Sequence, residues 1–146
     1  MRSLYLVDST NPNLASSTLN YGGCYLSTTG NNGTTSANCG VFTNTYTNVT
    51  TTAALFRKND SMGWIPVQFS QIALGTPLSS LPIDPVNSVN YYYAYAATST
   101  GGYYFEINAF MESTKYKANG SNDVVTTDGG NNASTYEIGN KPGLNL

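Results

Sequence analysis

Hydrophobic and polar residues follow a period of two most clearly over residues 89–96 and 103–111. This period predicts β-strands, because successive side chains of a strand point to opposite faces. A short segment with Gly101 and Gly102 separates the two runs, so we expect an antiparallel hairpin over about residues 89–111. In the first run, one face would carry Tyr91, Tyr93 and Tyr95, and the other Tyr92, Ala94 and Ala96.

The second run predicts one buried and one solvated face. The apolar positions, expected to be buried, are Tyr103, Phe105, Ile107, Ala109 and Met111. The polar positions, expected to face water, are Glu106, Asn108 and Glu112.

Shorter apolar segments predict a few further elements. Residues 22–26, 41–42 and 136–138 could be short strands, and residues 63–69 an irregular edge strand because they contain Pro66. The single tryptophan, Trp64, is expected to be a core anchor, and the leucines of residues 141–146 to hold the end of the chain in place. The fold class expected is α+β and β-dominated, with a small antiparallel sheet and long loops.

Composition supports one extracellular domain of 146 residues. Charged residues make up only 10%, against about 25% in average proteins, and Thr, Asn, Ser and Gly supply the polar surface. With a net charge of -2 and six basic residues, no nucleic-acid footprint is expected. No apolar run is long enough to span a membrane, and no signal peptide is recognisable.

Two cysteines, Cys24 and Cys39, flank a loop of Gly, Thr and Asn that has little apolar content. A single pair in such a low-charge chain predicts a disulfide, and two free thiols are the alternative. Closing a loop of about 15 residues would stabilise the fold by about 3 kcal/mol.

Nothing in the sequence predicts an enzyme. Histidine, the commonest general base, is absent. No nucleophile motif stands between a strand and a helix, and Glu106 and Glu112 are too far apart along one strand to form a carboxylate pair unaided.

The second half of the chain resembles the head domains of type IV pilins and of the major pseudopilin of type II secretion. Over about residues 62–146, the motifs that carry this resemblance occur in the family's order. They are Leu-Pro-Ile-Asp-Pro-Val-Asn at 81–87, Tyr-Tyr-Tyr-Ala-Tyr at 91–95, Gly-Tyr-Tyr-Phe-Glu-Ile-Asn-Ala at 102–109, Asp-Gly-Gly-Asn-Asn at 128–132 and Tyr-Glu-Ile-Gly at 136–139.

The resemblance implies a structural subunit of an extracellular pilus or pseudopilus on a bacterial cell, with other pilin subunits as partners. Residues 1–60 would be a variable region with the cysteine loop, and residues 62–146 the sheet and the C-terminal loop of one head domain. The family's leader and long N-terminal helix are not recognisable, so we expect that helix, the only route to the membrane, to be truncated or to come from another chain. Tyr92 and Tyr104 are the candidate subunit contacts.

Residues 121–131 predict a calcium site, because this Gly-containing loop concentrates the oxygen ligands that calcium prefers. The major pseudopilins hold calcium in the matching loop. The predicted ligands are Asp123, Asp128, Asn122 and Asn131. An ordinary loop held by Asn and Asp side chains is the alternative.

A secreted β-domain that binds carbohydrate or another surface is the alternative function. Exposed tyrosines and loops of Asn and Thr would suit stacking on sugars and hydrogen bonding to them.

Overall fold

In the computed structural model, the structure describes residues 24–28, 41–42, 53–66, 68–69, 72, 75–98 and 104–146. Within these residues, four strands form one antiparallel sheet whose spatial order follows the chain. Helix is limited there to a single 3₁₀ turn, Ala53–Leu55. The strands are β1 (Cys24–Leu26), β2 (Tyr93–Thr98), β3 (Tyr104–Ala109) and β4 (Tyr136–Gly139).

The predicted hairpin is confirmed as the pairing of β2 with β3, from Tyr93 opposite Ala109 to Thr98 opposite Tyr104. The first strand begins later than predicted, because residues 88–91 form a turn. The hydroxyl of Ser88 accepts hydrogen bonds from the backbone N–H groups of Asn90 and Tyr91, and the N–H of Ser88 donates to the carbonyl of Tyr91.

The sheet has a hydrophobic cluster on each face, as the alternation in β2 predicts. The first cluster contains Tyr25, Tyr95, Ala97, Phe56, Trp64, Ile65, Phe69, Ile72 and Leu81. The second contains Cys24, Leu26, Phe42, Tyr92, Ala94, Ala96 and Leu146. Tyr95 thus lies on one face, and Ala94 and Ala96 on the other.

The prediction for the two faces of β3 was wrong. Glu106 and Asn108, expected to face water, are 1% exposed, whereas Phe105 and Ile107 are only partly buried against the first cluster. The reason is tertiary, because residues distant along the chain cover the polar face and donate hydrogen bonds to it. The N–H of Leu146, for example, donates to Glu106.

Trp64 is confirmed as a core anchor. It is 1% exposed, and its indole N–H donates to the carbonyl of Pro82 at 2.8 Å.

The irregular strand predicted over residues 63–69 is absent from the described part of that segment, where one isolated bridge joins Asp60 to Gln68. Val41 and Phe42 also lie outside any strand, although Phe42 is buried.

A turn at Asp84 and Pro85 precedes β2, as predicted. The buried carboxylate of Asp84 accepts hydrogen bonds from the N–H groups of Val86 and Asn87, at 2.9 and 3.1 Å. The side chain of Asn87 in turn accepts a hydrogen bond from Ser27, whose hydroxyl also accepts one from the N–H of Tyr93. These bonds tie the turn both to the end of β1 and to the start of β2.

Both ends of the sheet agree with the sequence-based expectation. The short strands predicted near residues 22–26 and 136–138 are β1 and β4. The leucines of the C-terminal segment, Leu144 and Leu146, are buried. In the described parts of the chain, no helix is long and apolar enough to cross a membrane.

Cys24 is buried in β1, and no cysteine within the described residues is free. Its predicted partner, Cys39, lies outside the described residues. The pairing of these two cysteines therefore stays a prediction.

Candidate functional site

The predicted calcium loop is organised around the carboxylate of Asp123. Its two oxygens accept hydrogen bonds from the N–H groups of Asn119, Val125 and Thr126 and from the hydroxyl of Thr126, at distances of 2.7–3.0 Å. These hydrogen bonds lower the pKa of Asp123, and the bond from the N–H of Thr126 has the largest effect. The carboxylate closes a turn by itself, which gives it a structural role without a metal ion.

Asp128, the second predicted carboxylate ligand, joins the loop to the sheet. One oxygen accepts a hydrogen bond from the N–H of Gly130, and the other from the N–H of Glu137 at the start of β4. A side chain at position 130 would collide with the carboxylate of Glu137. A larger residue there would have to displace the Glu137 side chain.

The other predicted ligands, Asn122 and Asn131, have exposed side chains. Over the described parts of the chain, no three acidic or cysteine side chains come together in a way that could hold a metal ion. The calcium site stays a prediction, and the hydrogen bonds of Asp123 and Asp128 are those of the alternative, a loop held by its own side chains.

A pair of buried glutamates lies beside this loop, on the face of the sheet that also carries the second hydrophobic cluster. Glu106 of β3 and Glu137 of β4 are 1% and 2% exposed, and their carboxyl groups are close enough to influence each other's charge. Glu106 also accepts hydrogen bonds from the side-chain amide of Asn108 at 2.9 Å and from the N–H of Leu146 at 3.0 Å. Glu137 accepts one from the N–H of Asn132 at 2.7 Å.

The strand register explains why these side chains meet. Asn108 of β3 lies directly opposite Glu137 of β4. Glu106, two residues before Asn108 on β3, lies opposite Gly139. Residues two apart on a strand share a face, so Glu106, Asn108 and Glu137 form one patch. We call these three residues the acidic cluster.

The acidic cluster holds a proton near neutral pH. Burial, and then the neighbouring carboxylates of Glu106 and Asp128, raise the pKa of Glu137 from 4.5 to about 7, although the hydrogen bond from Asn132 acts in the opposite direction. Two carboxylates out of water and in contact cannot both stay ionised at low cost. We assign no reaction to this pair, because both groups are enclosed.

Sequence reasoning placed neither Glu106 nor Glu137 in a site. Glu137 stood in the motif Tyr-Glu-Ile-Gly, but its burial depends on the loop at 128–132 folding over it. One signal was available. In an antiparallel pairing of β3 with β4, the polar residues of both strands fall on one face, and three neighbouring polar side chains there indicate a network.

Of the two candidate subunit contacts, Tyr92 lies in the interior. It is 5% exposed and packs against Phe110, with ring centres 5.0 Å apart. Burial raises its pKa. Tyr104, at the start of β3, is half-buried and keeps a solvent-facing part that another subunit could contact.

Comparison with known proteins adds no family to this description. The chain matches no family model, no curated protein and no solved structure.

Proposed function

We propose that this chain is the head domain of a structural subunit of an extracellular filament, of the type IV pilus or type II secretion pseudopilus kind. The observation that carries the proposal is the order of elements after the turn at Asp84. That turn leads into the tyrosine-rich strand β2 and the paired strand β3, and then into the loop at residues 121–131 and the closing strand β4. The motifs that resemble pilin heads follow the same order along the chain.

Function in such a protein is assembly and display, with no turnover. In pilin-like filaments, an N-terminal helix packs the filament core and the head presents its surface outward. The low charge and the polar side chains of this domain suit a head exposed outside the cell. Tyr104 is our candidate contact between neighbouring heads, because an aromatic ring offers a large contact area and a hydroxyl group.

Two finer features belong to the proposal. We include a Cys24–Cys39 disulfide, which would close the cysteine loop of the variable region onto β1. We also include calcium binding by Asp123 and Asp128 as the feature to be tested first. Calcium that binds only the folded protein raises the melting temperature with its concentration. Calorimetric titration that gives no heat, together with an unchanged melting temperature, would remove calcium from the proposal.

Assembly can be tested with a matched pair of tyrosine variants in the producing cells. Tyr104→Ala is expected to reduce the yield of sheared filaments about tenfold, which corresponds to about 1.4 kcal/mol at one interface position. Tyr116→Ala removes a tyrosine that is 41% exposed and lies outside the sheet. This control is expected to leave the yield unchanged, and thermal melts of both domains would show that they fold.

The same cells separate the filament from the carbohydrate-binding alternative. If the protein occurs only as a released monomer, and the isolated domain binds defined sugars on a glycan array, the filament proposal fails. Equal filament yields from both variants would remove Tyr104 from the interface and leave the filament proposal standing.

A further inference from the structure

Strand β4 forms one edge of the sheet, and its register shows which of its backbone groups point outward. The N–H of Asn140 donates to the carbonyl of Phe105, the next pair in register beyond β4. Hydrogen-bonded pairs alternate along an antiparallel ladder, so Ile138 also bonds to β3. The backbone N–H and C=O groups of Glu137 and Gly139 therefore point away from β3, toward the place where a further strand would lie.

The two outward-pointing residues differ in how they are covered. Gly139 is exposed, whereas Glu137 is only 2% exposed, because the loop at residues 128–132 lies against it. Asp128 takes the place of a neighbouring strand, since one of its oxygens accepts the hydrogen bond from the N–H of Glu137 at 2.8 Å. Exposed edge strands pair readily with other chains, and proteins often cover them with a loop. We call residues 128–132 the edge cover.

Asp128 is the residue that fastens the edge cover to the backbone of β4. Its second oxygen accepts a hydrogen bond from the N–H of Gly130, which bends the loop back toward the strand. The N–H of Asn132 adds a hydrogen bond to the side chain of Glu137. Loss of the Asp128 carboxylate would remove both the bond to the strand and the bond that shapes the loop.

Beneath the edge cover, β4 is complementary to a second copy of itself. If two β4 strands pair antiparallel about a two-fold axis at Ile138, Glu137 of each copy lies opposite Gly139 of the other. These are the residues whose backbone groups point outward, so each pair can exchange two N–H to C=O hydrogen bonds. A two-fold contact of this kind uses the same residues on both copies and closes as a dimer.

The side chains of β4 also permit this pairing. Ile138 is 45% exposed, and the two copies of this side chain would meet at the axis and shield each other from water. Glu137 would lie opposite a glycine, and its side chain is buried on the other face of the strand. No like charges would therefore face each other across the axis.

From this arrangement we infer that β4 is an interaction surface for a second copy of this chain, and that the edge cover keeps this surface closed. While Asp128 holds the N–H of Glu137, the domain cannot pair through this edge. When that bond is lost, two β4 strands pair and two four-stranded sheets join into one. The inference does not depend on the proposed filament or on calcium.

Light scattering after size-exclusion chromatography, at a series of protein concentrations, tests the inference on the whole chain. The wild type should keep the mass of one chain, and Asp128→Ala should approach twice that mass as the concentration rises. Glu112→Gln is the control for charge, because it also removes one negative charge but changes an exposed residue just beyond β3. This variant should stay monomeric.

A second substitution locates the contact. Adding Ile138→Lys to Asp128→Ala should restore the mass of one chain, because two like charges would meet at the axis. An Asp128→Ala variant that is folded and monomeric at every concentration would overturn the inference. A dimer that persists after Ile138→Lys is added would overturn it as well.

Ile138→Cys keeps the inference testable even if Asp128→Ala does not fold. Opposite residues of a non-hydrogen-bonded pair have Cα atoms about 4.5 Å apart, a distance that a disulfide can span. In the disulfide-linked dimer, the two edges are held together and should displace the edge cover. The amide of Gly130, which donates to Asp128, should then lose protection from hydrogen exchange relative to the wild-type monomer. Equal protection in the two proteins would show that the linked strands leave the edge cover in place, and the inference would be wrong.

Discussion

Glu137 lies directly opposite Asn108 where β4 pairs with β3, and both side chains are buried. The pairing places an ionisable group beside an amide oxygen that has no partner. Polar groups are rarely enclosed without hydrogen bonds, because each such group costs about 1–3 kcal/mol. The acidic cluster is therefore where a change of pH should affect the stability of this fold most strongly.

The stability of the whole domain is expected to fall as the pH rises from about 4.5 to about 7. Glu137 titrates near 4.5 when unfolded and at about 7 when folded, so the folded state binds more protons between these values. Stability then decreases with pH, and the total change is about 3 kcal/mol. Urea unfolding at a series of pH values, followed by circular dichroism, measures it.

Glu137→Gln should remove this slope, and Glu112→Gln should keep it. A wild-type stability that rises steadily across the same pH range would contradict the assignment of the proton to Glu137.

Trp64 should be the most sensitive aromatic position of the first hydrophobic cluster. Trp64→Phe leaves the carbonyl of Pro82 without the indole donor and also creates a small cavity, so we expect a loss of about 1–3 kcal/mol. Met62→Ala is the control, because Met62 is 53% exposed and its truncation should change stability by less than about 0.5 kcal/mol. Equal effects of the two changes on urea unfolding would show that Trp64 is not an anchor.

Asp84 should stabilise the turn before β2 through its side-chain oxygen. Asp84→Ala removes the acceptor used by the N–H groups of Val86 and Asn87, and we expect a loss of about 1–2 kcal/mol. Asp84→Asn keeps an oxygen in the same place, so most of the stability should remain. If both variants lose the same stability in urea unfolding, the charge of Asp84 and not its hydrogen bonds would explain the effect.

The Cys24–Cys39 disulfide should be visible in the mass of the untreated protein. Reduction is expected to raise the mass by two hydrogens and to lower stability by about 3 kcal/mol, because a loop of about 15 residues is opened. An untreated protein with the mass of the reduced chain would exclude the bridge. Reduction with no effect on unfolding would show that the bridge adds nothing to stability.

The sequence was sufficient for the local features of the fold. The alternation in residues 93–98, the glycines that follow and the Asp84–Pro85 turn together specify a hairpin and the faces of β2. These features depend on residues close together in the chain, where turn chemistry and the period of two are reliable guides.

The burial of β3 could not be predicted from its own pattern. Glu106 is enclosed where the N–H of Leu146 reaches it, and Asn132 and Asp128 bond the neighbouring Glu137 of β4 from distant positions. Alternation only shows that two faces differ. Which face of the strand is covered depends on the rest of the chain, and in this fold both faces of the sheet are covered.

The candidate site was predicted in part. The sequence drew attention to Asp123 and Asp128 as oxygen donors in a loop, and the structure shows how each carboxylate organises the backbone around it. The neighbouring pair of Glu106 and Glu137 was missed, because 31 positions separate them in the sequence. Only the pairing of β3 with β4 brings them together.

The most direct test of the proposed function is immunogold electron microscopy of the producing cells, with an antibody raised against the folded domain. We predict gold labels along thin filaments at the cell surface, and peptides of this chain in the sheared filament fraction. Labels confined to the medium or spread over the cell surface, with filaments that carry none, would contradict the proposal that this domain is a filament subunit.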